Sequence, residues 1–236
     1  NSCSKPLNVD SIMLLVNALA PDNHAAKASI DIALHDLYGK LHSQPLWQMW
    51  DINPDATPCT SYTIGYDAND SIVQLKVREA DWAKILKVKL GREEEEDKRM
   101  INLIRSISDK PIYVDANQGW PTKEHALEMC QWLAEQGVVL IEQPMPKHMN
   151  EEHAWLCERV DLPIIADEAC QTYADIAKLR PYYDGINIKL MKCGGVAEAR
   201  KMIALARELG MQVMIGCMTE TSAGISAAAT LSPLVD

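Results

Sequence analysis

The sequence predicts an α/β chain on a parallel sheet, seven strands of a (β/α) barrel with a helical segment ahead of them. Three observations carry this reading. From about residue 59 onward, short runs rich in Val and Ile alternate with longer amphipathic stretches, the rhythm of βα units. No G-x-G-x-x-G or G-x-x-x-x-G-K-[ST] loop occurs, and such loops would favour an open, doubly wound sheet. Charged residues also recur in successive strands at intervals of about one βα unit.

The strand candidates are SYTIGY (61–66), ILKVKL (85–90), PIYVDAN (111–117), VVLIEQP (138–144), PIIADE (163–168), GINIKL (185–190) and QVMIGC (212–217). Between them, EEEEDKRMINLIRSI, TKEHALEMCQWLAEQ and VAEARKMIALARELG have the helical period. The acidic run Glu93–Asp97 opens a helix, where negative charge suits the positive end of the macrodipole and faces water. Gly194–Gly195 follows a strand and opens another helix. It reads equally as an anion-binding backbone or as a tight βα turn.

Residues 1–57 lack this rhythm. DNHAAKASIDIALHDLYGKLHSQPLWQMW reads as a helix with Ile30, Ala33, Leu34, Leu37 and Leu41 on one stripe, ending near Gly39–Pro45. A boundary near NPDATP (53–58) divides the chain into a helical part, 1–57, and a barrel part, 58–236.

Composition narrows the class. The 236 residues are 47% apolar and 24% charged, with no apolar run long enough to cross a bilayer. The start, NSCSKPLNVD, has no basic segment leading into an apolar one, so no signal peptide is read there. A net charge of -10 argues against nucleic acid or an anionic membrane as partner. Seven scattered cysteines (3, 59, 130, 157, 170, 193, 217) read as reduced thiols in a cytoplasm, without a disulfide framework or zinc site.

Strands of a parallel sheet are buried on both faces, so charges in them need partners or a metal ion. Lys89, Asp115, Glu142, Asp167 and Lys189 lie 26, 27, 25 and 22 residues apart, which places them at one level around a ring. In a barrel that level is the C-terminal rim, where active sites are built. Asp115, Glu142 and Asp167 are three hard oxygen donors that would repel one another without a cation, and Mg²⁺ suits them. No histidine stands at an equivalent strand end, which disfavours zinc and non-haem iron. Helix N-capping would explain any one of these acids, but not Glu142 within LIEQP nor the matched spacing. Lys87 and Lys89 share the inward face of their strand while Leu86, Val88 and Leu90 face the helices. A lysine confined near another cation loses its proton more readily and becomes a base. A salt bridge to a rim acid accounts for Lys87, but poorly for all three lysines.

In order and spacing, KVKLG, VDANQGW, LIEQP, ADE and INIKLMKCGG resemble the enolase superfamily, within it the muconate lactonizing enzyme subgroup. SIDIALHDLYGK resembles the last helix of that superfamily's capping domain, and IGCMTETSAGISAAA resembles the dipeptide epimerases. The resemblance implies a modified TIM barrel preceded by the helical remnant of an α+β capping domain. It implies one Mg²⁺ held by Asp115, Glu142 and Asp167, with Lys89 and Lys189 as the two acid/base catalysts. Lys87 would support Lys89 and touch the substrate carboxylate. Thr63, Cys217 and Thr219 would line the substrate pocket, and Asn117 and Glu168 would stand behind the site, Glu168 orienting Lys189. The implied reaction is inversion of the C-terminal residue of a dipeptide such as L-Ala-L-Glu, by 1,1-proton transfer through an enediolate.

The chain departs from the family pattern at both ends. It starts within the helical part of the capping domain and stops at LSPLVD, before the eighth strand and its Asp-x-Asp. A fragment of a longer protein, inactive by itself, is therefore expected. Within the subgroup the alternatives are o-succinylbenzoate synthase, N-acylamino acid racemase and muconate cycloisomerase. Outside it stands a non-catalytic barrel scaffold, which has no use for five matched buried charges. A homo-oligomer is the default for such enzymes.

Overall fold

A computed structural model describes residues 7–236. Cys3 and the first six residues of the expected 1–57 segment lie outside them. In chain order the elements are α1 (Val9–Leu19), α2 (His24–His42), α3 (Leu46–Met49), β1 (Ser61–Ile64), α4 (Asp70–Glu79), β2 (Ile85–Lys89), α5 (Glu94–Arg105) and β3 (Ile112–Asp115). There follow α6 (Lys123–Glu135), β4 (Val138–Glu142), α7 (Asn150–Cys157), β5 (Ile164–Ala166), α8 (Tyr173–Leu179), β6 (Gly185–Lys189), α9 (Leu190–Cys193), α10 (Val196–Glu208), β7 (Gln212–Gly216) and α11 (Ser222–Leu231). All seven expected strands form, each ending before the loop residues at its expected C-terminus. Strand order in the sheet is chain order, and successive strands from β1 to β6 pair in parallel. No described helix is long and apolar enough to cross a membrane.

Two compact units divide the chain: residues 1–58, 171–176 and 187–236 in one, 59–170 and 177–186 in the other. The second unit is the more regular. Leu86 and Val88 of β2, Val114 of β3 and Ile141 of β4 are fully buried, as are Met100, Ile101 and Ile104 of α5 and Leu133 of α6. Alternation along β2 sends Leu86 and Val88 to the helices, leaving Lys87 and Lys89 together on the other face, as expected.

The acidic run does open α5, with Glu93 at the N-cap and Glu94–Asp97 in the first turn. Asp97 is the exception to a solvated face. It is buried, and its carboxylate accepts hydrogen bonds from Gly91 N, Arg92 N and Trp120 Nε1. The loop after β2 is thus tied to the loop after β3. Where those loops cross, a Cβ on Gly119 would lie 2.1 Å from Gly91 O, so only glycine permits the approach.

In the first unit, α2 ends at His42, and Ser43 turns left-handed, within the expected range. The buried face is not the expected one. Ile30, Ala33, Leu37 and Leu41 are exposed and Leu34 is only half-buried, while Lys27, Ala28, Asp31, His35 and Gly39 are buried. The buried polar groups are satisfied, which makes this face stable despite its composition. Lys27 Nζ donates to Ala20 O at 2.6 Å, and Asp31 Oδ2 accepts from Val196 N at 2.5 Å and Ala197 N at 3.4 Å. His35 packs over Asp31, 3.4 Å from its Oδ1; burial opposes its charge, but Asp31 outweighs burial and raises its pKa.

Asp31 also decides between the readings of Gly194–Gly195. The first turn of α10 does bind an anion, and the anion is a side chain of this protein. Gly195 has φ 129°, and a Cβ there would stand 2.3 Å from Asp31 Oδ2. Asp31→Ala should therefore lower stability by about 1–2 kcal/mol, the upper range for a lost N-terminal cap. Urea unfolding monitored by far-UV circular dichroism measures this, and a change under 0.3 kcal/mol, roughly the effect of a neutral surface substitution, would contradict the cap.

Candidate active site

The register of the sheet assembles the site. Lys89 pairs with Asp115, and Asp115 pairs with Glu142, so three charged residues share one level. Asp167 does not share it: Glu142 is opposite Ile165, and Asp167 lies two residues beyond. This stagger is the offset that barrel closure demands, and a step of two keeps the side chain on the same face. The expected single level holds for three residues and climbs at the fourth.

The acids nevertheless converge. Asp115, Glu142 and Asp167 are all buried, and each offers an oxygen within 4.8 Å of the others. Among the described residues no other set of three acid, histidine or cysteine ligands meets in this way. Burial pushes the Glu142 carboxyl upward, Asp115 and Asp167 push it further, and Lys87 opposes them.

The two lysines of β2 supply the countercharge. Lys87 Nζ lies 2.5 Å from Glu142 Oε2 and 3.0 Å from Asp115 Oδ2, and Lys89 Nζ lies 2.6 Å from Asp115 Oδ2. Ion pairing to a rim acid therefore accounts for both lysines of this strand, more than the sequence suggested. Burial alone would loosen the Lys87 proton, but the Glu142 and Asp115 charges more than reverse this and hold it as an ammonium. Lys87 is thus a fixed positive charge rather than a base.

Around this group the same unit places the expected supporting residues. Asn117 N donates to Asp115 Oδ1 at 3.0 Å, and Asn117 Nδ2 faces Glu168 Oε1 at 3.4 Å. Asn117 takes φ 47° and Gln118 φ 67°, a left-handed pair that turns the chain out of β3. Thr63 of β1 pairs with Lys87 and its side chain is exposed. Sequence reasoning missed Gln143, fully buried at φ 40°, whose carboxamide bonds the backbone of the turn just after β5, at Asp167 N and Ala169 N. Its signal was present, since an amide at the end of a buried strand requires partners.

The remaining candidates belong to the first unit. Lys189 ends β6 immediately before α9 and is buried, with 8% of its surface exposed. Cys217 and Thr219 follow β7 and are exposed. Met218 N, between them, donates to Glu220 Oε1 at 2.8 Å.

Known proteins share much of this sequence and its fold. The family model described as mandelate racemase / muconate lactonizing enzyme, N-terminal domain, matches residues 3–50. The chain is 52% identical over 234 residues to the L-Ala-D/L-Glu epimerase of Bacteroides thetaiotaomicron, covering 99% of this chain and 60% of that protein. A dipeptide epimerase from Enterococcus faecalis V583, solved with Mg and the dipeptide L-Leu-L-Tyr, superimposes with a TM-score of 0.89 at 36% identity, over 97% of this chain and 66% of that one. An N-succinyl Arg/Lys racemase from Bacillus cereus superimposes with a TM-score of 0.85 at 26% identity, over 97% and 63%. The chain thus spans about three fifths of the length of the Bacteroides relative. With the enolase C-terminal domain-like model matching residues 72–235, the chain belongs to the enolase superfamily.

Proposed function

We propose that this chain carries the catalytic part of a Mg²⁺-dependent dipeptide epimerase, inverting the α-carbon of a dipeptide's C-terminal residue as an L-Ala-D/L-Glu epimerase does. The observation that carries the reading is the trio of buried carboxylates within 4.8 Å, met by two lysines of β2. Its all-oxygen donor set fits Mg²⁺, with Asp115, Glu142 and Asp167 as the residues that would hold the ion. Once bound, the cation would act as a Lewis acid toward the negative charge that develops on a substrate carboxylate. The named relatives, two of them dipeptide epimerases, support the same activity.

The residues divide the work by their charge. Lys87, held protonated by Glu142 and Asp115, is suited to bind the substrate carboxylate and unsuited to take a proton. Lys89 is more accessible, with 36% of its side chain exposed, and has to leave Asp115 to reach a substrate carbon. We assign Lys89 and Lys189 as the acid/base pair, one removing the α-proton to give the enediolate form of the substrate, the other returning a proton to the opposite face. Thr63, Cys217 and Thr219 would line the substrate pocket, and Asn117 and Glu168 would support the site, Glu168 by orienting Lys189. In this proposal residues 1–57 belong to a capping domain and 58–236 to the barrel. The protein is a cytoplasmic homo-oligomer, a setting consistent with the scattered cysteines of its sequence.

Incubation of the full-length enzyme with L-Ala-L-Glu and Mg²⁺ in D₂O tests the reaction. Proton NMR should show loss of the glutamate α-proton and appearance of the L,D epimer. The same assay on N-succinyl-arginine and N-succinyl-lysine addresses the second reading, raised by the likeness to the succinylamino acid racemase. Exchange in neither substrate set by the full-length enzyme would refute proton transfer by these residues.

A further inference from the structure

Gln143 follows Glu142 directly and leaves β4 in the left-handed region, φ 40°, where a side chain other than glycine is strained. Its carboxamide has two donors and two acceptor positions, and all four are used. Oε1 accepts from Asp167 N at 3.0 Å and Ala169 N at 3.1 Å. Nε2 donates to Met145 O at 3.2 Å and to the Tyr183 hydroxyl oxygen at 2.9 Å. Reversing the amide would set two N–H donors against two backbone N–H groups, so this network fixes which atom is oxygen. The main chain is held as well: Gln143 N donates to Ile165 O at 2.9 Å, and Gln143 O accepts from Gln118 N at 2.8 Å.

These contacts join the two ligand strands where Asp167 stands two residues beyond the level of Glu142. Glu142 and Asp167 are not opposite each other, so ladder hydrogen bonds alone do not fix their spacing. The Gln143 side chain bridges that gap, since it bonds the backbone nitrogen of Asp167 itself. Tyr183 then fixes the far end of the amide; its ring lies 4.5 Å from that of His153, which anchors it from α7.

We propose that Gln143 is a positioning residue for the divalent cation, setting the separation of the Glu142 and Asp167 carboxylates without touching the ion. This rests on the assignment of Asp115, Glu142 and Asp167 as the metal ligands. The strained φ of 40° belongs to the conformation in which the amide reaches Asp167 N.

The test measures Mn²⁺ affinity by the EPR signal of the free ion, with no substrate present, alongside the melting temperature of the metal-free protein. Gln143→Met keeps the volume and removes all four side-chain bonds; its Mn²⁺ dissociation constant should rise 10–100-fold, as when a group behind a metal ligand is lost. Tyr183→Phe keeps the ring and removes one bond; it should fold normally and weaken Mn²⁺ by about 2–5-fold, a fraction of that loss. Gln143→Glu retains acceptors toward Asp167 N and Ala169 N, so it should recover affinity relative to the Met variant. Lower melting temperatures with an unchanged dissociation constant in both the Met and Phe variants would show a purely structural role and overturn the proposal. Absence of Mn²⁺ binding by the parent would overturn the metal-site assignment itself, a separate failure.

Discussion

Lys89→Met and Lys189→Met should each abolish epimerisation of L-Ala-L-Glu, with turnover falling by about 10²–10⁴-fold, the usual contribution of a positioned acid/base group. The informative result is the asymmetry left behind. Inversion needs a proton removed from one face and another delivered to the opposite face, so losing either amine stops it. Exchange at one face needs only one amine. Each variant should therefore still wash deuterium into one epimer of the dipeptide and not the other, and the two variants should choose opposite epimers. Methionine nearly preserves the volume of the lysine stem, so packing changes little. Parent-like turnover in either variant, or exchange of both epimers in both, would rule out a two-lysine division of labour.

The sequence made some of this architecture legible and concealed the rest for identifiable reasons. The seven strands were readable because β-branched runs with turn residues between them leave little else for those segments to become. Lys87, Lys89, Asp115, Glu142 and Asp167 were readable because a charge inside such a run is expensive and repeats at the length of a βα unit. The stagger at Asp167 was hidden, since spacing along the chain does not report the register across strands. Asp31 was hidden more deeply: its partners in α10 lie 165 and 166 residues away, and no periodicity marks a buried polar pair. The stripe on α2 shows the opposite failure. Apolar spacing identified Ile30, Leu37 and Leu41 as one face, but burial went to the face holding Ala28, Asp31 and Gly39, whose small and polar groups allow close approach and are satisfied there. Asp97 looked like one more charge in a solvated run until its three donors were located.

Lys87→Met should destabilise the metal-free protein and tighten its binding of Mg²⁺. The Lys87 ammonium is the near neighbour of two fully buried carboxylates, Glu142 and Asp115. Removing one member of such a buried set leaves the others uncompensated, a loss of about 3–5 kcal/mol. Lys89 offsets part of it at Asp115, and Glu142, already pushed toward its neutral form by burial, offsets more by holding a proton. The lower end, about 3 kcal/mol, is therefore expected in the metal-free protein, a fall of roughly 6–12 °C in melting temperature for a chain of this size. On the proposed ligand assignment a divalent cation would compete with the ammonium for Glu142, so the variant should bind Mg²⁺ more tightly than the parent and regain most of the lost stability on saturation. Gln143→Met, by contrast, should lower metal affinity. Calorimetric melts of both variants across a Mg²⁺ titration separate the two: if Lys87→Met weakens Mg²⁺, its ammonium supports the cation site instead of competing for it, and Lys87 has to be counted among the residues that organise the metal.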